Sequence, residues 1–186
     1  MKKYFYITLI TITSYLAQNN SSMAERIESA VLAAPDEFRK EATVKGFNTD
    51  GSFTTLREGT NNMICLADDP RKKGFSVAAY HKDLEPFMAR GRELRSEGKS
   101  RSEVFKTREK EAKSGKLKMA KSGATLHILS GPTKVDAIYR YVVYFPWATT
   151  ETTGISETPT TSGGPWIMNA GTHKAHIMIN PPASSQ

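Results

Sequence analysis

Nine consecutive residues, Ala137 to Phe145, constrain the fold more than any other stretch of the chain. From Ile138 onward every one is β-branched or aromatic except Arg140. Such side chains favour extended backbone, where their bulk packs on a pleated surface. The run is apolar on both faces and reads as a strand central in its sheet. Pro146 ends it, because proline has no amide hydrogen to give to a ladder. A sheet is therefore required, and the other elements must cover it.

Further strands follow from shorter signals. Ala42 to Val44, Ser52 to Arg57 and Met63 to Ala67 are extended segments separated by Asp50-Gly51 and by Glu58-Gly59-Thr60-Asn61-Asn62, both turn signals. Residues 42 to 67 read as a small antiparallel meander. Thr125 to Leu129, Ile167-Met168 and Ala175 to Ile179 supply the C-terminal strands. A first helix spans Ala24 to Ala34, with Ile27, Ala30, Val31 and Ala34 at helical spacing and Pro35 as its stop. In the middle, Leu84, Phe87, Met88, Gly91 and Leu94 share a face of a helix that Gly98 terminates. Ser100-Arg101-Ser102-Glu103 has the spacing of a capping box and opens a second helix that runs to about Ser114. The order of elements predicts an α+β domain: a mostly antiparallel sheet with a charged helical pair inserted between the N- and C-terminal strands. No internal repeat is visible.

The N-terminus predicts export. Met1-Lys2-Lys3 precedes an apolar run from Tyr4 to Ala17 that holds no acid, proline or glycine. This is the pattern of a cleavable signal peptide, and the run is shorter than a bilayer-spanning helix needs. The expected division is 1–17 signal peptide, 18–26 polar spacer and helix start, 27–181 a single α+β domain, and 182–186 a tail. Loss of Lys2 and Lys3 leaves 24 basic against 19 acidic residues, a net charge of +5. No later segment is apolar enough to cross a membrane, so the mature chain is expected to be soluble, in the periplasm or outside the cell. Cys65 is the only cysteine, which excludes an intramolecular disulfide.

Half of the basic residues, 13 of 26, fall between Lys82 and Lys121. Seven acids are mixed among them, with Glu97–Arg101 and Glu109–Lys113 at i,i+4 spacing. That mixing, without interleaved aromatics, favours a solvated helical face over a phosphate-binding stripe, and no nucleic-acid partner is expected. Walker loops, dinucleotide fingerprints, G-x-S-x-G elbows and H-E-x-x-H are all missing from the sequence.

One segment is sharper. Gly163-Gly164-Pro165-Trp166-Ile167-Met168-Asn169-Ala170-Gly171-Thr172-His173-Lys174-Ala175-His176 frames an aromatic with glycines and a proline, and brings two of the four histidines three residues apart. The histidines are structural, or they bind something. A divalent metal on His173 and His176 would need a third ligand, for which His81, His127, Asp68 and Asp69 are candidates only if folding delivers them. Trp166 is either a core plug or the apolar wall of a ligand site, with the Thr149-to-Gly164 loop as its lid. Cys65 lies in the apolar Met63-Ile64-Cys65-Leu66, a poor setting for a nucleophile.

Thr55-Leu56-Arg57-Glu58-Gly59-Thr60-Asn61, Cys65 with Asp68-Asp69-Pro70, and Gly164-Pro165-Trp166-Ile167-Met168 with Gly171-Thr172 and Ala175-His176 together resemble an uncharacterised family of secreted bacterial proteins. Its marker is a C-terminal G-P-W-I-M-x-x-G-T-x-x-A-H motif. The resemblance runs roughly from Ile27 to Pro181 and implies export and a common fold, with no activity to carry over. The expectation is a non-enzymatic module for a small ligand or an envelope partner. Its site would lie where the Gly164-to-His176 stretch meets the Leu56-to-Asp69 hairpin. Trp166 would form the wall, His173 and His176 the polar groups, and Cys65 and Met168 would pack beneath. The alternatives are a secreted enzyme with a histidine as general base or metal ligand, and an envelope protein binding polyanions through residues 82 to 121.

Overall fold

The computed structural model describes residues 22–159 and 163–180. The predicted signal peptide, the start of the polar spacer and the tail lie outside the described residues. Eight strands form one sheet in the order β2-β1-β3-β4-β5-β6-β8-β7. They are β1 (Thr43–Phe47), β2 (Phe53–Arg57), β3 (Met63–Leu66), β4 (Phe75–His81), β5 (Ala124–Gly131), β6 (Ile138–Tyr144), β7 (Trp166–Met168) and β8 (His176–Ile179). Every pairing is antiparallel except β1 with β3. The fold is α+β, and its two long helices enter between β4 and β5.

Alternation along the strands builds two cores. One face presents Val44, Met63, Cys65, Val77, Ala79 and Leu129. Helix α1 (Met23–Ala30) and the 3-10 turn Val31–Ala33 cover it through Ala30, Ala33 and Ala34. Small residues let the helix backbone approach the sheet closely. The other face presents Ile64, Tyr80, Val142, Tyr144 and Met178, together with Leu84 and Phe87 of the helical pair. The result is a three-layer arrangement, helix on sheet on helices.

The helical pair follows the local rules. Helix α3 (Glu85–Ser96) stops at Gly98, whose φ of +79° a side chain would resist. Helix α4 (Arg101–Lys113) starts with the capping box: the Glu103 amide donates to the Ser100 hydroxyl, and the Ser100 amide donates to the Glu103 carboxylate. Arg90 of α3 grips Glu111 of α4 through a bidentate pair with contacts down to 2.7 Å, a geometry that guanidinium and carboxylate match well. Two short helices, α2 (Asp36–Arg39) and α5 (Thr150–Thr153), and a 3-10 turn, Lys82–Leu84, are the other elements among the described residues.

Two expectations are corrected. Residues 42 to 67 are not a meander, because β3 lies beside β1 and parallel to it rather than beside β2. After β2 the chain passes the start of β1, where the Thr60 and Asn61 amides both donate to the Glu41 carbonyl at 2.9 and 3.1 Å. Turn residues signal a reversal but not which side of the sheet it returns to. Strand β6 is interior, between β5 and β8, yet it is not buried along its length: Ile138 is 59% exposed. The first half of β6 runs beyond its cover, and the Tyr139 hydroxyl reaches back to donate to the Leu32 carbonyl at 2.9 Å.

Candidate functional site

The Gly164-to-His176 stretch builds the far edge of the sheet. Strand β7 turns through Asn169 and Gly171, both at positive φ, into β8. Trp166 is half-buried against the helix-side core, Ile167 is buried, and Met168 is 41% exposed. His176 pairs in register with Met168 and Tyr144, and its ring lies 5.3 Å from the Tyr144 ring. His173 is 0% exposed. His173 reaches Glu109 and Phe105 of α4, while His176 and Trp166 pack against the core around Tyr144 and Met178.

The Leu56-to-Asp69 hairpin does not join them. Cys65 lies in the core on the opposite face, and β4, β5 and β6 stand between β3 and β8. At the usual strand spacing that is about 19 Å. Burial also pushes the Cys65 thiol up to about 11, which keeps it an unreactive thiol. The proposed third metal ligands are dispersed as well. His81 sits at the start of the helical pair beside Asp83, and His127 stacks edge-on to Tyr141. Asp69 is bound by Arg71 at 2.8 Å, while Asp68 accepts the Ser76 amide. Among the described residues no three histidine, cysteine, aspartate or glutamate side chains group to hold a metal. Asp68 instead lines a hollow of about 1070 Å³ at the other end of the sheet, rimmed by charges of both signs from Arg26, Asp50, Lys72 and Lys134.

The corner around His173 is built more specifically. Its Nδ1–H donates to the Glu109 carboxylate of α4 at 3.0 Å, and Lys113 holds the other oxygen of Glu109 at 2.7 Å. The imidazole is flanked by Phe105 at 4.9 Å and Phe87 at 5.8 Å. With Nδ1 donating, Nε2 carries a lone pair, and among the described residues it meets no hydrogen-bond donor. Above lies a hollow of about 700 Å³ lined by Phe105, Glu109, Lys113, Ser114 and Thr172.

Trp147 stands beside this hollow, its ring 5.8 Å from the Lys113 ammonium. Its φ is +71° and it is 39% exposed. A bulky residue in the left-handed region is strained, and such strain persists only where surrounding contacts impose it. Here two backbone bonds do so: the Trp147 amide donates to the Thr172 carbonyl and the Gly171 amide to the Ala148 carbonyl, both at 2.8 Å. Sequence reasoning chose the glycine-framed Trp166 and missed Trp147. The available signal was its place directly after Pro146, at the end of the strongest strand, where an aromatic is not needed for the ladder.

The basic centre is meshed rather than striped. Glu85, Glu93, Glu97, Glu103, Glu109 and Glu111 each contact a lysine or arginine. Acid sensitivity follows from the histidines. His127, His173 and His176 are all held below the usual imidazole value, each chiefly by burial; the Glu109 bond partly opposes this at His173, and the Lys174 carbonyl at His176. The unfolded chain takes up these protons as pH falls through about 6.5, while the folded chain resists until lower pH. Stability is therefore full above that value and declines below it, with a slope of at most about 1.4 kcal/mol per pH unit for each imidazole. Thermal melts at constant ionic strength are expected to show a level midpoint above neutrality and a falling one toward pH ~5.5. A flat profile across that range would contradict the burial of the three rings.

Comparison with known proteins finds no family model, no curated protein and no solved structure that matches the chain.

Proposed function

We propose that this chain is an exported, non-enzymatic module that holds a small ligand in the hollow between Trp147 and α4. The observation that supports this reading is Trp147, a strained and exposed aromatic whose ring lies 5.8 Å from Lys113, one of the residues lining a hollow with an apolar floor and a polar rim. Ligand sites are concave, mostly apolar and furnished with a few placed polar groups. Here Phe105 supplies the floor, and Lys113, Glu109 and Thr172 the rim. Backbone strain of this kind concentrates at functional positions.

Export rests on the Met1-to-Ala17 pattern and on the resemblance to secreted proteins. Among the described residues no helix is long and apolar enough to cross a membrane. The reading as an enzyme is weaker. A histidine oriented by a carboxylate suits a general base, but a base must reach the proton it removes. The His173 ring is wholly buried.

The test is ligand retention. Protein isolated from its own envelope fraction is expected to begin at Gln18 and to release a small molecule on denaturation. Trp147→Ala is expected to retain about tenfold less, the worth of one aromatic contact. Lys118→Ala, on an exposed side chain away from the hollow, is expected to retain as much as the wild type. Equal release from the wild type and Trp147→Ala would count against the site, and no release from either would count against the function.

A further inference from the structure

On the other side of His173, where α3 meets α4, three cations converge without an acid. Arg108 is 7% exposed. Its guanidinium lies over the Phe87 ring at 3.8 Å, and Nη1 donates to the Phe87 carbonyl at 3.1 Å. Among the described residues its Nε meets no acceptor. Gly91 of α3 leaves the space: a Cβ there would lie 2.9 Å from Nη1 of Arg108 and 3.3 Å from Nη1 of Arg95. Two guanidinium groups thus approach the same point on one helix, at a glycine that helix propensity alone would disfavour.

Lys174, two residues before β8, is the third cation. Burial and then the charges of Arg108 and Arg95 hold its ammonium below the usual lysine value. The neighbouring carboxylates are already engaged: Glu109 by Lys113 and His173, Glu111 by Arg90, and Glu85 by Lys45 and Arg92. Among the described residues, Arg95, Arg108 and Lys174 form no ion pair. Burial pulls Arg108 down only to about 10, so it stays charged at neutral pH. A buried charge without a partner is costly, and native structures pair such groups.

We propose that Arg108, Lys174 and Arg95 form a binding site for a compact dianion of the phosphate class. Arg108 is the buried anchor, since a planar guanidinium matches two oxygens at once. Lys174 contributes a point charge beside it. Arg95, the exposed member, lies at the mouth, so a phosphate carried on a larger molecule has a way out to solvent. The site is distinct from the Trp147 hollow and does not depend on it.

Thermal unfolding of the full mature chain, titrated with inorganic phosphate at constant ionic strength, tests this. At a hundredfold excess over the dissociation constant the midpoint is expected to rise by about 5–10 °C, with saturation. Chloride at matched ionic strength is expected to give no rise. Arg108→Met, which replaces the unpaired charge with an apolar chain of similar length, is expected to match or exceed the wild-type midpoint without phosphate and to lose the response. Should Arg108→Met fail to fold, Lys174→Gln carries the test and is expected to weaken the response at least tenfold. Trp147→Ala is expected to respond to phosphate as the wild type does, which keeps this result separate from the fate of the ligand hollow. Glycerol phosphate acting as well as phosphate would identify a monoester as occupant, and phosphate acting alone would identify the free ion. A missing or unsaturable response in the wild type, or an undiminished one in both Arg108→Met and Lys174→Gln, would overturn the proposal.

Discussion

Replacing His173 with alanine is expected to cost the fold about 3–5 kcal/mol, the range for deleting a large buried ring. The imidazole is 0% exposed and is enclosed by Phe87, Phe105 and Trp147. Alanine would leave a cavity with aromatic walls that cannot collapse onto it. It would also take the hydrogen bond from Glu109, although Lys113 keeps that carboxylate partly satisfied at 2.7 Å. His173→Phe separates the two effects. It restores the volume but not the donor, and its loss is expected to be smaller, about 1–2 kcal/mol. Urea unfolding of the three proteins, read with a common slope, checks the order wild type, His173→Phe, His173→Ala. A cost under about 1 kcal/mol for His173→Ala would show that the corner is held by something other than this ring.

Gly59→Ala is expected to be almost as damaging, about 3 kcal/mol or more, through overpacking rather than a cavity. A Cβ at Gly59 would lie 2.3 Å from the Ala42 carbonyl carbon and the Thr43 nitrogen, and 2.4 Å from the Glu41 oxygen. Those are backbone atoms at the start of β1, so no side chain can swing aside. The crossing cannot simply move away, because the Gly59 amide donates to the Thr43 hydroxyl at 3.2 Å and the next two amides to Glu41. Gly154→Ala provides a control, since a Cβ there meets nothing within 4 Å. It pays only for its positive φ, roughly 1 kcal/mol. Comparable losses for the two variants would mean that the crossing at Gly59 is looser than described.

The same crossing shows where sequence reasoning stopped. Ser100 with Glu103, the Gly98 stop and the Ile138-to-Tyr144 strand were legible because each is decided within a few residues. The parallel pairing of β1 with β3 was not, because the Glu58-to-Asn62 turn and the approach of Gly59 to Ala42 join residues far apart in the chain. The site was legible in part. Within the glycine-framed segment His173 reaches Glu109 of α4, whereas Trp166 and His176 pack against the core around Tyr144 and Met178. Cys65 went elsewhere, because strand alternation says that Cys65 and Ile64 face opposite sides but not which side is which. Trp147 and Arg108 escaped notice for related reasons. A left-handed backbone at Trp147 depends on its own bond to Thr172 and on the bond from Gly171 to Ala148, and the isolation of Arg108 emerges only once the neighbouring acids are seen to be taken.

The clamp that strains Trp147 also bears on motion. Its two backbone bonds tie the 145–148 turn to the 171–175 segment, so Trp147 and Thr172 of the rim are positioned together. A site assembled in advance loses less entropy when a ligand enters.

The most direct measurement is the native mass of the protein isolated from its own cells, set against its mass after denaturation. An occupied hollow beside Trp147 predicts a native mass larger by one discrete small molecule, which is lost when the chain unfolds. Identical masses in the two states, from material never exposed to denaturant, would contradict the assignment of this corner as a ligand site.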